Sequence, residues 1–323
     1  MDTKRILVIT LSNIGDVILT TSVIDTVINE FPGVKLDVIV GPRAKDIFEE
    51  HRNINRIYVY DKHTSFMEKL KLIKELHSKH YDVAVDLKHT VIPYLVGAKV
   101  KSPAFGRIKE GLHKKDQHLS VIKSMGMKTE NAKSNIQISQ KDKERVSGYL
   151  KQIKGKFVVV SCGAKSHTKR WPTSYFAALC DKIKNDLGYE VVLVGKEEEV
   201  SPDSDRVVID EVKQKMKTKA HDFIGMTNVR ELSVLIKESH LLITNDSAPL
   251  HVASCVNIPT IAIFGPTDEK KYGPLADRSI VLRKKLKCTP CEKAQCEYNY
   301  ECMRKITVDD AFKAVEEILK QKI

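Results

Sequence analysis

Apolar positions along this 323-residue chain fall into two successive alternations of short apolar runs and helical stripes. Arg5–Thr10 (RILVIT) is a compact, β-branched run, the pattern of a strand covered on both faces of a parallel sheet. In Val17–Glu30 the apolar residues 17, 18, 23, 24, 27 and 28 recur at helical spacing, and Phe31-Pro32-Gly33 ends that helix. Strands are expected at Lys35–Val40, Arg56–Tyr60 and Tyr81–Leu87, with a helix at Ser65–Ser78. The stretch Thr129–Lys156 is polar and rich in Lys, Ser and Gln, with one helical segment at Lys141–Ile153. A boundary there divides the chain into domains 1–154 and 155–323. The second alternation places strands at Lys156–Ser161, Tyr189–Val194, Leu241–Thr244 and Thr260–Phe264, and helices at Ser174–Leu187 and Val229–Glu238. Two such runs predict an α/β protein of two doubly wound domains, with ligands beyond the carboxyl ends of the strands.

Composition changes this picture little: 42% hydrophobic and 30% charged residues suit two ordinary cores. The net charge of +12 favours anionic partners, such as a phosphorylated substrate or an anionic membrane surface. A lysine-rich solvated surface accounts for much of it. With only 6% aromatic residues and no aromatic-plus-basic module, nucleic acid is not an expected partner. The N-terminus lacks a signal-peptide pattern and no stretch reaches the roughly 20 apolar residues of a membrane span, so a cytoplasmic protein is expected, with peripheral contact at the inner membrane surface allowed.

Chemistry is expected in the loops that follow strands. Leu11–Asp16 joins the first strand to the first helix, Gly15 permitting a tight turn and Asp16 standing at the helix start. Locally that pattern reads as a helix cap. Equally, an Asp on a rigid strand-to-helix loop suits the removal of a proton from an attacking hydroxyl. The turn Asp246-Ser247-Ala248-Pro249-Leu250-His251 runs from a strand into a helix whose N-terminal amides form a ready diphosphate site. For each residue alone, capping and a satisfied core histidine are equally good readings. Lys165 to Pro172 (KSHTKRWP) places cations beyond another strand, where a lysine stabilises a leaving diphosphate without a metal; an exposed basic loop with a locally packed Trp171 is the plainer account. The Leu11–Asp16 loop lacks GxGxxG, so no dinucleotide fingerprint is present there.

Taken together, three segments resemble glycosyltransferase family 9, the ADP-heptose:lipopolysaccharide heptosyltransferases, over nearly the whole chain. They are the opening RILVITLSNIGDVILTTSVIDTVINEFPGVKLDVIVGPR, the KRWP stretch, and LLITNDSAPLHVASCVNIPTIAIFGPTDEKKYGP. The resemblance implies a GT-B architecture of two facing Rossmann-like domains, the first acceptor-binding and the second nucleotide-sugar-binding, with the last helix (residues 307–320) returning to the first. It implies an inverting, metal-independent transfer of heptose or a related sugar from an ADP-sugar to a lipopolysaccharide core or lipid A-type acceptor. Asp16 falls on the catalytic base and Lys169 on the phosphate-contacting lysine. Asn13, Gly15, Asp246, Ser247, Ala248 and His251 fall on donor contacts. Lys88 and His89, after YDVAVDL, are candidates for an anionic glycolipid acceptor. Ala248 stands where the family usually has Gly, Asn13 where Ser is commoner, and Ala164-Lys165 where some members have hydroxyl residues.

Cys288, Cys291, Cys296 and Cys302 crowd into fifteen residues, with the density of a metal or disulfide knot. Structural thiolate zinc is chemically reasonable, although the spacing matches no standard ribbon closely; disulfides are disfavoured in a reducing cytoplasm. Cys162, Cys180 and Cys255 lie in apolar segments and read as core residues. Two further functional classes fit a two-domain Rossmann-like chain: a nucleotide-sugar epimerase, and a non-catalytic sugar-nucleotide binding protein. Sugar transfer to an acceptor, compared with turnover without one, separates them.

Overall fold

A computed structural model describes residues 3–103, 111–130, 132–197 and 204–320. The chain divides into two compact units, Met1–Gln137 and Ile138–Ile323.

In the first unit, β1 (Arg5–Ile9), β2 (Lys35–Val40), β3 (Ile54–Val59), β4 (Val83–Asp86) and β5 (Val100–Lys101) form a parallel sheet in the order β3-β2-β1-β4-β5. Between them run α1 (Ile14–Glu30), a 3-10 turn at Pro42–Ile47, α2 (Phe66–His77) and the short α3 (Ile92–Leu95); α4 (Lys114–Lys123) follows. The chain leaves β1 towards β2 and β3, then returns to pair β4 on the other side of β1, so strand order reverses between β1 and β4. Loops from those two strands therefore diverge around a crevice, the place where open α/β sheets bind ligands. Asp37 is the unusual core residue of β2: its buried carboxylate accepts from Tyr81 Oη and Asn55 Nδ2, both at 2.7 Å.

The second unit begins with α5 (Gln140–Leu150), then alternates β6 (Phe157–Ser161), a 3-10 turn at His167–Lys169, α6 (Thr173–Leu187), β7 (Glu190–Leu193), α7 (Asp205–Lys215) and β8 (His221–Asp222). After α8 (Val229–Glu238) come β9 (Leu242–Asn245), α9 (Ala248–Val256), β10 (Thr260–Phe264), α10 (Glu269–Tyr272), β11 (Ser279–Arg283), α11 (Glu301–Arg304) and α12 (Val308–Lys320). The six parallel strands lie in the order β11-β10-β9-β6-β7-β8, reversing between β6 and β9. Capping boxes open α2 (Ser65/Glu68), α5 (Ser139/Asp142) and α8 (Asn228/Glu231), each satisfying otherwise unpaired amides of a first turn.

Two sequence expectations shift. The break between units falls at 137/138 and not at 154/155, because α5 packs on α8 and its Asp142 carboxylate meets Arg230 Nε at 3.2 Å. The last helix, expected against the first domain, buries Ala311, Ala314, Val315 and Ile318 in the core of its own unit beside α6. That apolar stripe needs a hydrophobic neighbour, and α6 supplies one directly. Among the described residues no helix is long and apolar enough to cross a membrane.

Candidate functional site

Each unit carries one cluster of the sequence-selected residues, at its own strand reversal. In the first, α1 starts at Ile14, earlier than the sequence pattern suggested, so Gly15 and Asp16 lie inside its first turn. Gly15 is thus helical and not the pivot of a tight turn; its φ is not positive. Asn13 occupies the N-cap position without a side-chain capping bond, and its amide donates to Asp16 Oδ2 at 3.0 Å. Asp16 is therefore not the helix cap. It is a partly exposed first-turn carboxylate, favourably placed in the field of the helix N-terminus.

Beside that loop, buried Asp86 at the end of β4 organises the next one. Its carboxylate accepts from the amides of Lys88 (2.8 Å) and Thr90 (2.5 Å) and from Thr90 Oγ1 (2.7 Å). Lys88 is thereby aimed at the β1 loop, where its Nζ donates to Ser12 Oγ at 3.2 Å and lies 5.5 Å from the Tyr60 ring centroid. His89, next in the loop, takes a left-handed backbone conformation, φ 56°. Ser12, Gly41, Tyr60, Lys88 and Thr90 line one small pocket. Gly41 is required there: a Cβ would sit 2.9 Å from Ser12 Cα.

In the second unit, the loops after β6, β9 and β10 converge. Asp246, 6% exposed, accepts from Lys169 Nζ at 2.7 Å and from Thr267 Oγ1 at 2.7 Å. An ammonium carries three donors, so Asp246 fixes Lys169 while leaving capacity for an anion. The turn holding Lys169 is itself anchored: Arg170 Nε and Nη2 both donate to the Ala164 carbonyl, at 3.0 and 2.9 Å. Asn245, fully buried, accepts from the Trp171 amide (3.1 Å) and donates to the Cys162 carbonyl (2.7 Å), tying the β9 end to the loop after β6. Trp171 is a core residue whose Nε1 donates to the Ile306 carbonyl at 2.9 Å.

Ala248 is the first residue of α9, and Ser247 is its N-cap residue without a capping bond; the Ser247 hydroxyl lies 3.1 Å from Thr244 Oγ1. Ala248 is not among the residues of positive φ, so alanine carries no backbone penalty here. His251 is buried in the first turn of the same helix. Asn245 and Thr267 gain their bonding roles only because loops distant in sequence meet at one strand reversal, which local spacing does not show.

Cys288, Cys291, Cys296 and Cys302 line one cavity of about 170 Å³. Burial raises the Cys302 thiol, and the neighbouring Cys296, Cys288 and Cys291 raise it further. The Pro266 carbonyl, next to Thr267, accepts from the amides of Cys291 and Glu292, both at 2.9 Å, joining this segment to the β10 end. Four thiols suit a soft metal ion, yet among the described residues no three His, Cys, Asp or Glu side chains are arranged to hold one. Cys162 and Cys180 are buried as expected, whereas Cys255 is half-buried.

The model of glycosyltransferase family 9 (heptosyltransferase) matches residues 109–301, more than half of the chain. Lipopolysaccharide heptosyltransferase 3 of Escherichia coli (strain K12) is 27% identical, over 95% of this chain and 96% of its own. A family 9 glycosyltransferase structure from Veillonella parvula superposes with a TM-score of 0.86 at 24% identity, covering 100% of this chain and 99% of that one. The Escherichia coli ADP-heptose lps heptosyltransferase II superposes at 0.79 and 20%, covering 98% and 99%. The two parallel Rossmann-like sheets are those of GT-B enzymes. With both strand reversals furnished with polar side chains and the family model spanning most of the chain, this protein belongs to glycosyltransferase family 9, the heptosyltransferases.

Proposed function

We propose that this chain transfers a heptose from ADP-heptose to a hydroxyl of a lipopolysaccharide core or lipid A-type acceptor, with inversion and without a catalytic metal. The first unit takes the acceptor and the second the nucleotide sugar. Asp16 accepts the proton of the acceptor hydroxyl as its oxygen bonds to the anomeric carbon, while the bond from that carbon to the diphosphate breaks. Negative charge then gathers on the departing diphosphate. Lys169, held by Asp246, and the positive N-terminal end of α9 offset it, with Ser247, Ala248 and His251 at the same turn; Pro249 has no amide to offer and the Leu250 amide donates to the Ser247 carbonyl. Asn13 and Gly15 belong to the donor-contacting loop, and Lys88 and His89 to the acceptor side.

The observation that carries this reading is the position of Asp16. It is a partly exposed carboxylate at the strand reversal, and capping, the ordinary explanation for an Asp there, does not apply. Asp16→Asn should lower sugar transfer at least about a hundredfold, the scale that general-base catalysis supplies, with the melting temperature nearly unchanged. Transfer close to the native rate would remove Asp16 from the role. Turnover of the nucleotide sugar without any acceptor, by native protein, would instead favour an epimerase.

The four clustered cysteines are read as a structural element that braces the segment against the β10 end; their side chains as placed do not form a metal site, so thiolate-bound zinc would require them to draw together. A working place at the inner membrane surface accords with a lipid-borne acceptor.

A further inference from the structure

Apolar exposure on this protein is not scattered. Of the ten large hydrophobic side chains exposed among the described residues, eight lie between residues 59 and 100, all in the first unit. Phe66 (73%) and Leu70 (46%) stand on α2, and Val91 (66%), Tyr94 (53%) and Leu95 (51%) on or beside α3.

These residues share one face of the unit. Leu72, Ile73 and Leu76 of α2 and Ile92 and Val96 around α3 belong to one core cluster, so both helices cover the same side of the sheet. The helices touch: His77 Nδ1 lies 3.2 Å from the Leu95 carbonyl. Phe66 and Leu70 fall on the same stripe of α2 as His77, since positions 66, 70 and 77 follow i, i+4 and i+11 spacing. Both therefore lie on the α3 side of α2, about 16 and 10 Å up the helix from His77. A solvated patch of this kind is unusual unless something covers it.

Charge identifies what does. Residues 61–101 contain eight lysines against five acidic residues. Three of the acids are already engaged: Asp86 is buried in its loop, Glu68 closes the α2 capping box, and Asp82 pairs with Lys99 at 2.8 Å. Lys101 Nζ lies 5.8 Å from the Tyr94 ring centroid, and Lys69 Nζ reaches the Lys62 carbonyl at 2.7 Å, beside Phe66 in the chain. Apolar and aromatic side chains in a lysine-rich segment, with Lys101 beside Tyr94, match a bilayer with anionic headgroups, where insertion and electrostatic attraction each supply part of the binding. The patch also adjoins the candidate acceptor pocket, because Val91 projects to solvent between Thr90 and Ile92, which line it.

We infer that the α2–α3 face of the first unit is a membrane-docking surface for an anionic lipid bilayer. It presents the Lys88 pocket to a lipid-borne acceptor, a consequence that rests on the proposed function; the docking itself does not.

The full chain should co-sediment with vesicles of equimolar phosphatidylglycerol and phosphatidylethanolamine. It should bind phosphatidylcholine vesicles weakly, and molar salt should reduce but not abolish the anionic binding. The double variant Phe66→Ser/Leu95→Ser should lose roughly tenfold or more of that binding, with circular dichroism and transfer to a delipidated, soluble acceptor unchanged. No binding by the native chain, or equal binding by the variant, overturns the inference. So does self-association of the native chain that the variant abolishes, since a second copy would then cover the face. Because sedimentation needs neither donor nor acceptor, failure of the docking surface and failure of the transferase reading are read separately.

Discussion

His118 illustrates how single residues in this fold are governed by their surroundings. It lies on α4, 4% exposed, with no hydrogen-bond partner for Nε2 among the described residues. Burial, then the nearby charges of Lys114, His89 and His113, hold its imidazole down to about 3, against an ordinary 6.5. Because the folded value is depressed, the unfolded chain takes up a proton below about 6.5 that the folded chain refuses until about 3. This contribution to stability is complete above that window and is lost as pH falls through it, by at most about 1.4 kcal/mol per pH unit. Urea unfolding at about pH 7 and about pH 5 should show a smaller acid loss for His118→Gln than for native protein. Equal losses would mean that the imidazole titrates freely in the folded state. Asp16 is the opposite case at the same scale. Its identity was legible in the sequence, but whether it capped a helix depended on where α1 begins, and helix ends are poorly marked by periodicity alone.

At the scale of elements, most amphipathic helices and buried strands were readable, whereas the shortest elements, the charge-rich helices α4 and α7 and the partly exposed strand β11 were not. β2, α8 and β10 match their expected limits, since each carries a full period of apolar residues. The two-residue strands β5 and β8 and the four-residue α3 have too few positions to show a period, yet α3 shapes the exposed face of the first unit. The segment between β11 and α11 forms no regular helix or strand, and its cysteines line one cavity. If a metal braces it, protein purified under reducing conditions should contain about one zinc or iron per chain, and a strong chelator should lower the melting temperature. Sub-stoichiometric metal together with an unshifted melting temperature would leave the four residues as free thiols.

At the scale of the whole molecule, the two units have separate sheets and separate reversals, and the reading assigns them different ligands. ADP at saturating concentration should therefore slow hydrogen exchange in residues 162–170, 245–251 and 265–268 of the second unit, because a ligand bound to the folded state suppresses local opening. Protection confined instead to residues 11–16 and 86–90 would place the nucleotide in the first unit and reverse the assignment. The net charge of +12 enters at this scale too, since half of the first unit's excess falls in residues 61–101, the segment that carries most of the exposed apolar side chains.

The sequence by itself determined the fold class, the order of the main strands and helices, and the residue types able to carry the chemistry. Those features follow from local periodicity and from motifs a few residues long. Only the tertiary structure decided that Asp246 grips both Lys169 and Thr267, that Asn245 ties two loops together, that Ala248 sits in unstrained helix, and that the last helix stays with its own unit. Each of these depends on strands far apart in the chain becoming neighbours in a sheet, or on which apolar face lies nearest to cover a stripe. Neither is written in local spacing.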